Sequence, residues 1–124
     1  MKYLCTVFLN EKKLEALSRT ESDALDAESL AYDEVLKKNG QLIAAQALQP
    51  VRTATTLRIK NGKVLLTDGP FAETKEQIGG FILIEAKDLD EAIDVASRIP
   101  AILFGGVEVR PIKELSRAQL SSVR

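Results

Sequence analysis

Histidine is absent from the 124-residue chain, and cysteine occurs once, at Cys5. The lack of histidine excludes Ser–His and Cys–His nucleophilic pairs, histidine general bases, and zinc, iron or haem held by histidine. A single cysteine can build neither a disulfide framework nor a thiolate metal cage within one chain. Because Cys5 lies in an apolar run, we expect a buried and chemically inert thiol. Nothing in the sequence supports a metal, haem, flavin or nucleotide cofactor.

The chain also lacks an excess of either charge, with 17 Lys and Arg against 18 Asp and Glu and a formal net charge of -1. This balance speaks against nucleic acid and anionic membrane surfaces as partners, since both attract a net basic face. No apolar run approaches the length of a membrane-spanning helix. Residues 1–9 lead into charged residues at 11–13 without a cleavage site. Together with a lone reduced cysteine, this predicts a cytoplasmic protein.

The sequence is long enough for one domain with a real core, since 45% of its residues are hydrophobic. Apolar periodicity predicts one helix from Thr20 or Ser22 to Lys38 and a second from Asp88 to a stop at Pro100. The same reasoning predicts strands over residues 3–9, 41–48, 53–60, 63–67, 80–86 and 107–112.

The order of these elements matches a ferredoxin-like α+β sandwich with an added hairpin strand. Asn61-Gly62 supplies the hairpin turn, because this dipeptide is the strongest short hairpin signal. No repeat, low-complexity tract or linker interrupts the order. We therefore predict a single domain over residues 1–112, followed by a polar C-terminal tail over 113–124.

Each predicted helix has an apolar stripe for packing. Leu25, Tyr32 and Leu36 form the stripe of the first helix. Between Glu21 and Glu34 that helix carries six acidic residues and no basic one, which we interpret as a solvated face. The stripe of the second helix comprises Leu89, Ala92, Ile93, Ala96 and Ile99.

The strands at 3–9 and 80–86 are apolar on both faces, which is typical of strands buried on both sides. Two helices can cover only one face of such a sheet. A second copy of the chain is the simplest cover for the other face, so we predict a homodimer. The alternative is that the C-terminal tail folds back over this face, although Leu115, Leu120 and Val123 are its only large apolar residues.

The segment over residues 67–81 carries the most chemical information. Asp68 ends an apolar strand beside a Gly-Pro turn and Phe71, so its carboxylate can be partly desolvated and suited to proton abstraction. Local sequence favours a simpler role, in which Asp68 accepts hydrogen bonds from backbone amides in an Asx-type turn. Phe71 can line a cleft or join the core. Glu73 and Lys75 can line the same cleft or remain solvated loop charges.

Other candidate residues lie outside this segment. Arg110 alternates with apolar residues in the last strand, so it can bind a substrate anion, pair with Asp68, or form a cross-strand ion pair. Tyr3 can present its phenol to a cleft or pack in the core. Residues 50–63 are basic without an acid, which suits an anion site or a strand edge protected from aggregation. The acids at 88–91 lack the glycine spacing of a calcium loop and are better explained as helix capping.

Three stretches of the sequence resemble one family. DGPFAETKEQIGGF at 68–81, DLDEAIDVASRIP at 88–100 and GGVEVRPI at 105–112 are similar to the YCII-related family, in the branch named for its DGPF motif. The opening MKYLCTVFLNE is similar too, so the resemblance covers about residues 1–112. It implies a ferredoxin-like protomer that pairs through its sheets as a dimeric α/β barrel, in agreement with the homodimer predicted from the strands.

The resemblance also implies possible activities. Some YCII-related proteins resemble enzymes with a His-Asp pair in a cleft, and one branch eliminates halide from chlorinated aromatic rings. Asp68 corresponds to the acidic member, whereas the histidine has no counterpart in this sequence, so that dyad is excluded. DGPF-type proteins also resemble accessory factors encoded near extracytoplasmic-function sigma factors, which implies a partner in the transcription machinery.

Two main hypotheses of function result. The first is a homodimeric small-molecule-binding or accessory module with an apolar cleft near Asp68 and Phe71. The alternative is a cofactor-independent lyase or isomerase in which Asp68 is the general base and Arg110 or Lys75 stabilises the resulting anion. A third, a protein-interaction adaptor, rests on the sigma-factor resemblance alone. The candidate ligand-binding residues are Tyr3, Phe71, Glu73, Lys75 and Arg110, and no metal ligands are predicted.

Overall fold

The structure is a computed structural model that describes residues 1–122. Its strands are β1 (Lys2–Leu9), β2 (Leu42–Ala47), β3 (Thr55–Lys60), β4 (Lys63–Asp68), β5 (Gln77–Glu85) and β6 (Gly105–Pro111). Its α-helices are α1 (Glu11–Glu15), α2 (Arg19–Lys38) and α3 (Leu89–Ser97). Short 3-10 helices cover Val51–Thr53, Pro100–Phe104 and Arg117–Ser122. No α-helix within residues 1–122 is both long and apolar enough to span a membrane.

Four strands form an antiparallel sheet in the order β2-β5-β1-β6. With α2 and α3 as the crossover helices, this is the strand order of a ferredoxin-like α+β sandwich, and the predicted fold class is confirmed. The added hairpin is not a strand of this sheet, because β3 and β4 pair only with each other in a separate two-stranded sheet. Asn61 and Gly62 form its turn with φ angles of 53° and 75°, as an Asn-Gly hairpin turn requires.

Helix α2 begins earlier than the sequence predicts. Ser18, rather than Thr20 or Ser22, is the N-cap, and it forms a capping box with Glu21. In this box the Glu21 backbone amide donates to Ser18 Oγ at 3.1 Å, while the Ser18 amide donates to Glu21 Oε1 at 2.9 Å. The two reciprocal hydrogen bonds satisfy amides that the first helical turn leaves free, which fixes the start of the helix here.

The hydrophobic core lies on one face of the four-stranded sheet. Tyr3, Cys5 and Val7 of β1 point to this face, and Ile82 and Ile84 of β5 lie opposite them. Helix α3 contributes Val95 to the core, whereas Leu89 and Ile93 of the predicted stripe are each 49% exposed. The remaining buried apolar residues are Leu36, Ala86, Ala92, Ala96 and Ile99.

The opposite face of the sheet is apolar and carries no helix. We call it the open face; it consists of Leu4, Thr6, Phe8, Phe81 and Leu83, which are all half-buried. Leu115 and Leu120 of the C-terminal tail are 73% and 63% exposed, so the described part of the tail does not cover it. Val123 lies outside the described residues.

Candidate functional site

A cleft of about 650 Å³ separates the N-terminal part of α2 from the core face of the sheet. Its apolar walls include Val7 and Ile82 from the sheet, Leu25 from α2, and Ile99 from the segment after α3. The cleft is open to solvent on one side. Its volume lies within the range of about 300–1,000 Å³ that is typical of small-molecule sites.

The cleft exists because α2 approaches the sheet only near its C-terminal end. Leu36 is the only residue of α2 that is buried, whereas Leu25 and Tyr32 are half-buried. The Tyr32 hydroxyl donates a 2.6 Å hydrogen bond to the Val95 backbone carbonyl and attaches this end of the helix to α3. The apolar stripe predicted for α2 is therefore only partly packed, and its first half faces the cleft.

Two glycines on the opposite wall lie where neighbouring residues approach the backbone closely. Gly79 and Gly80 of β5 both line it. A Cβ atom at residue 79 would overlap the Leu9 side chain, and one at residue 80 would lie 2.7 Å from the Gln46 carbonyl oxygen. Both contacts are closer than packed atoms tolerate, so these positions accept no side chain without a shift of their neighbours.

Four polar side chains of α2 line the cleft: Ser22, Asp26, Ser29 and Asp33. Their spacing of three or four residues places them on one side of the helix. Burial raises the pKa of the Asp33 carboxyl above its ordinary value, and the neighbouring Glu34 charge raises it further. Among the residues that the structure describes, no Lys or Arg lines the cleft. The site therefore offers acceptors and hydroxyl groups to a ligand but no cationic partner.

The six site residues predicted from the sequence lie elsewhere, since none of them lines this cleft. Asp68 ends β4, at the base of the hairpin, and its side chain is exposed. Within residues 1–122 its carboxylate accepts no hydrogen bond, so the Asx-type turn is not formed. The turn depends instead on Gly69, which has a φ of +119° and donates its amide to the Ala54 carbonyl at 2.8 Å.

Three other predicted residues stand near Asp68 on the loop that follows. The Phe71 ring is 71% exposed, and the Arg58 guanidinium carbon lies 4.2 Å from its centroid. Glu73 and Lys75 are exposed. The loop is held by Gln77, whose side-chain amide donates to the carbonyls of residues 72 and 74. Asp68, Phe71, Glu73 and Lys75 thus lie at exposed positions at and after the base of the hairpin.

Tyr3 and Arg110 are separated from that group. Tyr3 is 3% exposed in the core, and its hydroxyl contacts Met1 Sδ at 3.8 Å. Arg110 lies in β6 of the four-stranded sheet and pairs with Glu108 of the same strand at 2.7 Å. The ion pair runs along one strand rather than across two, because residues two apart in a strand share a face. Arg110 and Asp68 belong to different sheets of the chain.

Sequence reasoning missed the cleft, although a signal for it was present. The acidic run of α2 is mostly solvated, as the sequence predicts, but the exposed Asp26 and the half-buried Asp33 also border the cleft. Serines and aspartates repeat on the same side of the helix as Leu25, where an amphipathic helix normally has only apolar residues. Within the described residues, no three Cys, Asp or Glu side chains cluster closely enough to hold a metal ion.

The fold and the cleft define a small ferredoxin-like α+β protein with a candidate small-molecule site between helix and sheet. The chain belongs to the YCII family, since the YCII-related domain matches residues 1–116. It is 35% identical over 124 residues to an uncharacterized protein of Rhizobium meliloti (strain 1021), covering 98% of this chain and 100% of that protein.

One solved structure with a similar fold is 5-chloro-2-hydroxyhydroquinone dehydrochlorinase (TftG) of Burkholderia phenoliruptrix AC1100, in complex with 2,5-dihydroxybenzoquinone. The TM-score is 0.54 and the sequence identity 23%, over 93% of this chain and 96% of that one. At this identity the likeness shows the fold alone.

Proposed function

We propose that the protein is a homodimeric small-molecule-binding module whose ligand occupies the cleft between α2 and the sheet. The observation that carries the proposal is the convergence of Ser22, Asp26, Ser29 and Asp33 on one apolar cleft of about 650 Å³. Apolar walls with a few placed polar groups are the usual composition of a small-molecule site, in which the walls supply affinity and the polar groups fix orientation.

The chemistry of the lining defines the class of ligand. Carboxylates accept hydrogen bonds and repel anions, and no cationic residue of the described chain offsets Asp26 and Asp33 within the cleft. Asp33 is half-buried, so a hydrogen-bond donor on the ligand would offset the partial loss of its hydration. We propose a molecule with an aromatic or aliphatic body and a hydroxyl or amino group directed at α2.

The open face of the sheet supports the homodimer. Leu4, Phe8, Phe81 and Leu83 form a contiguous apolar surface on adjacent strands, with no helix against it. A second copy of the chain, related by two-fold symmetry, can cover this surface, and the family resemblance likewise implies a dimer, the dimeric α/β barrel. A cytoplasmic location and an accessory role near extracytoplasmic-function sigma factors remain predictions from the sequence.

Native mass spectrometry of freshly purified protein tests the proposal, with the mass of the denatured chain as reference. The expected spectrum is a dimer with a discrete small-molecule adduct. Ser29→Leu places an apolar side chain in the cleft and should remove the adduct. Ala31→Leu makes the same side chain on the exposed side of α2 and should retain it. An adduct retained undiminished by Ser29→Leu would place the ligand elsewhere and contradict the proposal.

A cofactor-independent lyase or isomerase is the second candidate, and the position of Asp33 favours it. A general base must lie beside bound substrate, and a raised pKa suits a carboxylate for proton abstraction near neutral pH. Asp33 satisfies both conditions within the cleft. Asp68, the general base proposed from the DGPF motif, would serve instead if the substrate lay against the exposed hairpin.

Chloride release from 5-chloro-2-hydroxyhydroquinone, the substrate named for TftG, is the assay for this candidate. The reaction loses one proton and one chloride, and the carboxylate would take the proton. If Asp33 is the base, Asp33→Asn should lower the rate by about 100-fold or more, while Asp68→Asn retains it. The reverse result would assign the base to Asp68. No chloride release by the wild-type protein would contradict this reaction for the chain.

A further inference from the structure

The β3–β4 hairpin has one apolar face that is largely exposed. The pairing register places Leu57 opposite Leu66 and Ile59 opposite Val64. These four side chains share one face of the hairpin, because directly paired residues point to the same side. They are 61%, 69%, 70% and 57% exposed, respectively. We call them the hairpin's apolar face.

The other face of the same hairpin is basic. It carries Arg58 opposite Leu65, and Lys60 opposite Lys63. Arg58 also stacks on Phe71. The hairpin therefore has one apolar and one basic face. This is typical of a two-stranded sheet that packs its apolar face on another surface and exposes the other face to solvent.

Such a hairpin is not stable in isolation. A two-stranded hairpin is at best marginally stable in water and needs a further layer on its apolar face. The four aliphatic side chains together expose on the order of 400 Å² of apolar surface, as much as the largest patch on a typical monomer, and patches of that size are often functional. Because the four side chains are 57–70% exposed, the described part of the chain does not provide that layer.

The chain contains a second unpartnered apolar surface, the open face of the four-stranded sheet. We infer that, in the homodimer, the hairpin of each copy lays its apolar face on the open face of the other copy's sheet. This inference rests on the homodimer of the proposed function and assigns the hairpin as its arm. The basic face is then turned to solvent, where repulsion between lysines keeps further strands from adding to the hairpin edges.

The area agrees with a stable two-fold dimer. In a symmetric pair each copy contributes one hairpin and one covered sheet face, so each buries about twice the area of the hairpin's apolar face. That amounts to about 800 Å² per copy, the size of a standard specific interface. The hairpin is thus sufficient to bring the dimer to this size, whereas a free hairpin would leave two large apolar surfaces in water.

Size-exclusion chromatography with light scattering over a dilution series tests the inference on the full chain. Ile59→Lys combined with Leu66→Lys charges the apolar face and should raise the dimer dissociation constant by about tenfold or more. Leu65→Lys is the matched control, because Leu65 is an exposed leucine on the basic face of the same hairpin. It should leave the constant within about twofold.

The outcomes separate the hairpin arm from the homodimer itself. If wild type and the Ile59→Lys/Leu66→Lys variant form dimers with the same dissociation constant, the hairpin arm is wrong but the homodimer is not. The apolar face would then be free for a different protein. A wild-type monomer at every concentration would overturn both. If the double variant does not fold, hydrogen exchange of the wild-type chain decides. Amides of β3 and β4 should exchange more slowly at high protein concentration, and concentration-independent exchange would contradict the arm.

Discussion

The Tyr32 hydroxyl donates a 2.6 Å hydrogen bond to the backbone carbonyl of Val95, 63 residues away in the sequence. This bond connects α2 to α3 above the core. Burial raises the pKa of Tyr32, so the phenol remains a neutral donor. Because Leu36 packs just beyond Tyr32 while the first half of α2 stands off the sheet, the bond marks the end of the cleft where the two layers meet.

Removing this hydroxyl should destabilise the fold. Tyr32→Phe loses the hydrogen bond to Val95 and should lower the free energy of unfolding by about 1 kcal/mol. Tyr3→Phe is the matched control, because the Tyr3 hydroxyl contacts only the Met1 thioether at 3.8 Å, which is a weak acceptor. Urea denaturation of both variants measures the difference. A larger loss for Tyr3→Phe would contradict this ranking.

The pair Gly105-Gly106 gives a second matched comparison. A Cβ atom at residue 105 would overlap the carbonyl oxygen of Phe8 in the adjacent strand, whereas one at residue 106 meets nothing within 4 Å. Gly105→Ala must displace backbone and should cost about 2 kcal/mol or more of stability. Gly106→Ala should change stability by less than about 0.5 kcal/mol. Thermal unfolding of the two variants checks this, and equal melting temperatures would contradict the close approach at Gly105.

The Asp33 carboxyl should make stability depend on pH. Its pKa is raised above the ordinary 3.8, first by burial and then by Glu34, so the folded chain binds this proton more tightly than the unfolded chain. The stabilisation that this proton gives the folded state is complete at pH values below the unfolded-state pKa of Asp33. It is lost as the pH rises through the folded-state pKa. Asp33→Asn has no carboxyl to titrate and does not lose stability in this way. The free energy of unfolding of the variant, relative to wild type, should therefore increase as the pH rises.

Denaturation curves across this pH window measure the effect. Glu34→Gln keeps Asp33 but removes the adjacent charge. Its free energy of unfolding relative to wild type should also increase with pH, but by less than that of Asp33→Asn. A stability difference between Asp33→Asn and wild type that is independent of pH would contradict the assigned cause.

Cys5 should be protected from thiol reagents in the folded state. It is 0% exposed, which confirms the burial expected from the sequence, and this burial raises its pKa to about 11. The thiolate that reacts with disulfide reagents is then scarce and inaccessible. Labelling should be slow in buffer and complete in denaturant, with one thiol per chain. Rapid labelling of the native protein would show that β1 opens more readily than its central position implies.

The hairpin turn and several helix ends could be predicted because turns and caps depend on local chemistry. Asn61 and Gly62 adopt the positive φ angles that their residue types favour, and Gly40 follows α2 with a φ of 71°, as a terminating glycine does. Asp88 accepts the Glu91 amide at 2.9 Å and caps α3 as expected. The predicted start of α2 at Thr20 or Ser22 was wrong, because Ser18 and Glu21 form a capping box two to four residues earlier.

The candidate site could not be predicted in the same way, because it depends on the distance between α2 and the sheet and not on a sequence motif. The cleft depends on how far α2 stands from β5, and Leu36 and the Tyr32 hydrogen bond hold α2 to the other layers at one end only. The DGPF segment instead lies at the base of the hairpin and does not line the cleft.

Chemical-shift mapping of ¹⁵N-labelled protein with hydroquinone and tyramine is the most direct test of the central claim. Both probes carry an aromatic body and hydrogen-bond donors. We expect saturable shifts at the amides of Gly79, Gly80 and Ser29, present in Ala31→Leu and abolished in Ser29→Leu. Shifts confined to the hairpin base around Asp68 and Phe71, or no shifts at millimolar concentrations of either probe, would contradict the helix–sheet cleft as the binding site.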